Sequence, residues 1–208
     1  MIAADLIKGI IVGFLIAAPV GPIGVLCIRR TVSRGQFFGF VSGLGAATAD
    51  TLFGLAAALG LGAFTTFLVV HRQGFQLAAG VILVVLGLRM LCSTPARSLR
   101  DSTVKGHGGA YFSTLGLTLA NPMTILSFAG IFAGFGVVTG GSDFAAATLV
   151  LGVFIGSASW WLILSALAGW LVSRMQEGGL HRINQIGGAA IFLFGLWNLG
   201  KAAYPALR

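Results

Sequence analysis

The chain has 208 residues, 57% of them hydrophobic and 9% charged, with a mean hydropathy of +0.97. Soluble domains carry roughly 25% charged residues, so the composition excludes a soluble fold and points to an integral membrane protein. The net charge of +8 does not indicate a nucleic-acid partner. The basic residues lie between apolar segments, where the positive-inside rule puts them.

Alternating strand patterns are absent and long apolar runs recur, so the expected fold is all-α and not a barrel. Six apolar segments are predicted, at residues 6–28, 37–62, 74–92, 112–136, 145–172 and 184–203. Each is long enough to cross a hydrocarbon core of about 30 Å. The chain contains 32 glycines, which suits close helix–helix contact in lipid.

The first segment is interrupted at Pro19-Val20-Gly21-Pro22. Each proline lacks an amide hydrogen and crowds the carbonyl four residues earlier, so an unbroken helix is excluded there. In lipid, freed backbone groups survive only against protein or a water-filled cavity. Residues 1–25 resemble a cleavable signal peptide in outline, but a later copy of this segment argues that it stays.

That copy appears on shifting the chain by 103 residues, which lays Gly13, Ala17 and Pro19 on Gly116, Ala120 and Pro122. A shift of 109 lays Gly43, Thr48 and Asp50 on Gly152, Ser157 and Ser159. A shift of 108 lays Gly80 on Gly188 and Leu86-Gly87-Leu88 on Phe194-Gly195-Leu196. Three ordered matches at nearly one offset predict two three-helix repeats, residues 1–92 and 111–208, joined by a polar link at 93–110. Three crossings are odd in number, so the second repeat is expected upside down relative to the first. Inverted repeats with helices broken at equivalent prolines mark many secondary transporters, with the site near midplane.

Orientation is read from Lys and Arg. With both termini outside, the inner loops hold nine basic residues, Arg29, Arg30, Arg34, Arg89, Arg97, Arg100, Lys105, Arg174 and Arg182. The outer side holds four, Lys8, Arg72, Lys201 and Arg208, which favours N-out and C-out.

Of five acidic residues, only Asp50 falls deep inside a predicted span. A carboxylate at that depth costs about 2.5–3.5 kcal/mol on insertion scales, which makes it a functional candidate, with proton uptake as its expected role. Gly39, Gly43, Ala47, Asp50 and Gly54 share a helix face by their three- and four-residue steps. Thr148, Gly152, Gly156 and Ser159 form the matching stripe. These stripes suit helix packing and permit, without requiring, a homodimer.

Pro22 suits the first turn of a restarted helix. The amides of Ile23, Gly24 and Val25 would then point into the break, at the positive end of the half-helix dipole. Asn121 beside Pro122 offers a donor and an acceptor from the other half. With Asp50 able to take an ammonium group or a proton, the candidate site Pro19, Gly21, Pro22, Ile23, Gly24, Asp50, Asn121, Pro122 and Ser159 suits a zwitterion.

Other chemistries are poorly served. Cys27 and Cys92 match no Cys-x-x-Cys or metal spacing. His71, His107 and His181 lie in predicted loops, so no metal site is expected. No phosphate-binding Gly-Lys-Ser/Thr loop is present, which argues against ATP-driven pumping. No cofactor and no enzymatic activity are expected. The alternative is export of another small solute or a metal cation on the same fold.

The broken first span, the Gly43–Asp50 stretch, Asn121-Pro122 and the basic run Arg29-Arg30-Thr31-Val32-Ser33-Arg34-Gly35 together resemble the LysE/RhtB family of amino-acid exporters. The resemblance covers the whole chain. It implies export of amino acids or derivatives across the bacterial inner membrane, with protons as the counter-ion. The sequence departs from the family pattern in two places. Pro19-Val20-Gly21-Pro22 replaces a Pro-Gly-Pro element, and Met123 stands where Lys is frequent.

Overall fold

Helix α1, Ile2–Ala17, stops where the sequence forbids more helix. Its last bond runs from the Ala18 amide to the Phe14 carbonyl at 2.9 Å, and Pro19 disfavours a helical conformation in the residue before it. Gly21 opens the next helix as N-cap in an extended conformation, and Pro22 occupies its first turn. Helix α2 then runs Pro22–Arg34, turned by 82° from α1. This computed structural model describes residues 2–19, 21–58, 70–92, 104, 106–121, 124, 128, 143–174 and 177–203.

Gly35 alone joins α2 to α3, Gln36–Ala58. Its φ of 94° lies in the left-handed region, which glycine enters without a Cβ penalty. The remaining helices are α4, Arg72–Leu91, α5, Gly106–Leu119, α6, Asp143–Ser173, and α7, Glu177–Ala203. The described residues contain no strand.

Among the described residues three helices are long and apolar enough to cross a membrane alone, α3, α6 and α7, and α1 with α2 pass the same test as one bent span. In α4 the apolar stretch is shorter, Gly80–Arg89. Helix α5 covers residues 112–119 of the fourth expected segment; most of the rest of 112–136 lies outside the described residues. Large apolar side chains such as Ile7, Ile11 and Leu15 on one face of α1 are exposed, as a lipid-facing stripe should be.

The opposite face of α1 packs on α6, and the fit depends on absent side chains. A Cβ on Gly9 would strike the Leu149 carbonyl, and one on Gly13 the Val153 carbonyl. From α6, Gly152 meets Leu6 and Gly9, and Gly156 meets Ile10 and Phe14. Helices α4 and α7 pack as closely, through Gly80, Gly87 and Gly195. Helix α3 lies between α5 and α6, with Gly45 against the Tyr111 carbonyl, Gly43 against Trp161 and Gly39 against Thr31 of α2. Ala47 is fully buried in the same interface. The glycines of the small-residue stripes expected from sequence therefore face other helices of this chain.

Several residues expected in loops are helical instead, His107 in α5 and His181 and Arg182 in α7 among them. Arg29 and Arg30 lie within α2, which extends to Arg34. Arg30 is only 4% exposed. Its Nη1 donates to Ser42 Oγ at 3.1 Å, to the Ala110 carbonyl at 3.0 Å and to Thr114 Oγ1 at 2.7 Å, and its Nη2 to Ser113 Oγ at 2.8 Å. A polar face on α5 thus receives the guanidinium and ties α2 to α3 and α5. Sequence reading placed Arg30 with its neighbours in a loop because adjacent arginines resemble a cytoplasmic loop, and the hydroxyls that receive it are remote in the chain.

Candidate functional site

Asp50 stands on α3 where the small residues of that helix bring α5 and α6 close. It is 3% exposed, and Ser157 of α6 donates its hydroxyl hydrogen to Oδ2 at 2.7 Å. A buried carboxylate is tolerable when hydrogen-bonded, and a four-residue step keeps Ser157 and Trp161 on one face of α6. Ser159, which the repeat equates with Asp50, points its hydroxyl back to the Ile155 carbonyl of its own helix at 2.6 Å. Ser157, the counterpart of Thr48, is the residue that meets the acid.

A cavity of about 60 Å³ opens beside Asp50. The end of α1 contributes Ile16 and Ala17, and the break contributes Pro19 and Gly21. The first turn of α2 adds Ile23 and Gly24, and α3 adds Ala46. Thr118, Asn121 and Thr124 close it from the fourth segment, and Trp161 from α6. Six of the nine expected site residues, Pro19, Gly21, Ile23, Gly24, Asp50 and Asn121, therefore border one space. Pro22 lines a smaller void of about 10 Å³ instead, together with Leu83, Phe194, Asn121 and Asn198. Pro122 and Met123 lie outside the described residues.

The start of α2 presents donors to this space. An α-helix leaves its first amides without intrahelical partners, and the Gly21 N-cap supplies no side chain to satisfy them. The Val25 amide is used, donating to the Gly21 carbonyl at 3.0 Å. The expected set of three amides is thereby reduced to Ile23 and Gly24, because Val25 makes the first bond of the helix. The dipole of α2 adds partial positive charge at the same place.

Asn121 sits just past α5, its amide donating to the Thr118 carbonyl and its own carbonyl accepting from Thr124, both at 3.1 Å. Sequence reading missed Thr118, Ser157 and Trp161 as cavity or partner residues. Their signal was weak: a threonine, a serine and a tryptophan in apolar helices are ordinary unless the helices they face are known. Among the described residues no three His, Cys, Asp or Glu side chains gather as a metal site would need. Cys27 is buried and Cys92 exposed, both as free thiols.

The arrangement can hold a small polar molecule between a carboxylate and a helix start, inside a bundle with a lipid-facing exterior. Comparison with known proteins places the chain among transporters. A curated protein of Bacillus subtilis (strain 168), named "Putative amino acid efflux protein YcgF", is 27% identical over 192 residues, covering 90% of this chain and 91% of its own. No solved structure matches the chain. The model of one transporter family, the LysE type translocators, matches residues 14–199, a stretch that contains the break, Asp50, Asn121 and Trp161. The chain therefore belongs to the LysE type translocator family.

Proposed function

We propose that the chain is a secondary transporter that exports amino acids or their derivatives across the bacterial inner membrane in exchange for protons. The observation that carries this reading is the shared cavity, bordered by Asp50 on one helix and the amide-bearing start of α2 on another. The helix start receives the substrate carboxylate, and Asp50 receives the ammonium group or the counter-transported proton. Asn121 supplies a further polar contact. The name of the Bacillus relative supports amino-acid efflux as the activity.

Alternating access in this reading comes from two inverted three-helix repeats rocking about the broken helices. The helix contacts support such a pairing. Helix α1 of the first repeat packs on α6 of the second, while α5 of the second packs on α3 of the first. Gly87 and Gly195, equivalent by sequence, each lie against the other's helix, Gly87 on Phe192 and Gly195 on Val84. Both termini face outward, following the distribution of basic residues.

Efflux from proteoliposomes under an imposed pH gradient tests the proposal. Loaded with a panel of labelled amino acids, the parent protein should release one class in response to the gradient, and Asp50→Asn should not. Release that ignores the pH gradient would remove proton antiport; release of no amino acid by folded protein would remove the substrate assignment.

A further inference from the structure

Trp161 borders the same cavity as Asp50 and is 4% exposed, yet its Nε1–H meets no hydrogen-bond acceptor among the described residues. An indole N–H can only donate, and buried indoles ordinarily find an acceptor. The indole is also built into place. Gly43 of α3 leaves room for it, since a Cβ there would collide with the Trp161 side chain. One turn earlier on α6, Ser157 holds Asp50. The indole is therefore held by packing beside a space whose other wall is the first turn of α2.

We infer that the Trp161 indole N–H binds one oxygen of the substrate carboxylate, while the Ile23 and Gly24 amides bind the other. Two donor sets on separate helices suit a group with two anionic oxygens and not a single neutral acceptor. The carboxylate is then clamped between α2 of the first half and α6 of the second, and Asp50 remains for the positive end. This assignment rests on the amino-acid export reading above and names a binding residue that the sequence alone did not suggest.

The test compares Trp161→Phe with the parent in proteoliposomes. Phenylalanine keeps an aromatic ring and removes only the donor and the second ring. For each amino acid that the parent moves, KM should rise about tenfold or more, the loss expected of one hydrogen bond to a charged group. Turnover at saturation should stay within about twofold, since the contact is made in the bound state before transport. The parent should favour an amino acid over its amide, which lacks the anionic oxygen, and Trp161→Phe should lose most of that preference. Trp160→Phe is the control. Trp160 Nε1 is also buried without a partner, but its ring packs on Phe14 and it does not border the cavity. It should leave KM unchanged. In the parent labelled with ¹⁵N-tryptophan, the indole resonance that disappears in Trp161→Phe should move when the transported amino acid is added.

An unchanged KM with an unmoved indole resonance would overturn the assignment while leaving the export reading standing. A fall in turnover that is equal for the amino acid and its amide would also overturn it, as the mark of a packing role. A parent that moves no amino acid would overturn the export reading and this assignment with it.

Discussion

The Ser157 hydroxyl on α6 donates to Asp50 Oδ2 on α3 at 2.7 Å, so the acid buried in the bundle is anchored by a neutral donor from the other half of the chain. Leaving one side of a buried hydrogen bond unmet costs about 1–3 kcal/mol. Ser157→Ala should lower stability by that amount and weaken transport. Asp50→Asn keeps an acceptor for Ser157 and should melt within about 1 kcal/mol of the parent, because only a hydrogen bond of ordinary strength is at stake, while losing gradient-driven efflux. Thermal unfolding in detergent beside proteoliposome assays separates the two outcomes.

The contact of α1 with α6 should forgive little change. A methyl at Gly13 or Gly156 would enter the Val153 or Ile10 carbonyl of the opposing backbone. Overpacking of this kind costs about 1–3 kcal/mol, and rigid backbone on both sides favours the upper end. Gly116, the repeat partner of Gly13, has no atom of the described residues within 4 Å of an added Cβ. Gly116→Ala should therefore be neutral or gain up to about 1 kcal/mol from helix propensity. Opposite effects from two equivalent glycines, read as shifts in melting temperature, would show that the halves match in sequence and differ in packing.

Arg30 should behave as a clamp among helices and tolerate little change. Hydrogen bonds to a charged donor contribute about 1.5–3 kcal/mol each in favourable cases. Lysine keeps the charge but cannot reproduce the planar fork that reaches Ser42, Ser113 and Thr114 together. Arg30→Lys should lower stability by about 2 kcal/mol or more, on the loss of at least one such bond. Arg89→Lys, exposed in the last turn of α4, should cost far less. Chemical denaturation of the two variants provides the check.

Thiol labelling reports the same packing from another direction. Cys92 is exposed and Cys27 is fully enclosed among Ala17, Ile23 and Leu26. A water-soluble maleimide should modify Cys92 in native protein and reach Cys27 only after denaturation. Efflux should survive the native reaction, whereas loss of efflux on labelling Cys92 would give that thiol a role that the cavity does not suggest.

Much of this was legible in the chain. The proline pair located the break to within a few residues, because missing amide hydrogens act locally and regardless of context. Asp50 stood out since a carboxylate in an apolar span has few innocent explanations. What could not be read were the pairings across helices. Ser157 and Ser159 differ by two residues on a helix, a rotation of more than half a turn, and nothing in the apolar sequence of α6 says which one faces α3. Trp161 and Thr118 look like ordinary membrane-helix residues until the opposing walls are known. Arg30 was misplaced for a related reason: all but one of its partners lie some eighty residues away, on a helix whose polar face is visible only as scattered hydroxyls.

The single-residue joint at Gly35 bears on how the protein is made. Helix α2 has 13 residues, about 20 Å of helix, against a hydrocarbon core of about 30 Å. It also carries Arg29, Arg30 and Arg34, and its inward face is buried against α3 and α6. Such a segment cannot partition into lipid by itself. With no slack at Gly35, it must enter the bilayer as a passenger of α3, and its arginine is shielded only once α5 has been synthesised. Biogenesis of the first half is therefore unfinished until the second half arrives, and a fragment ending before α5 should be held by the insertion machinery or degraded.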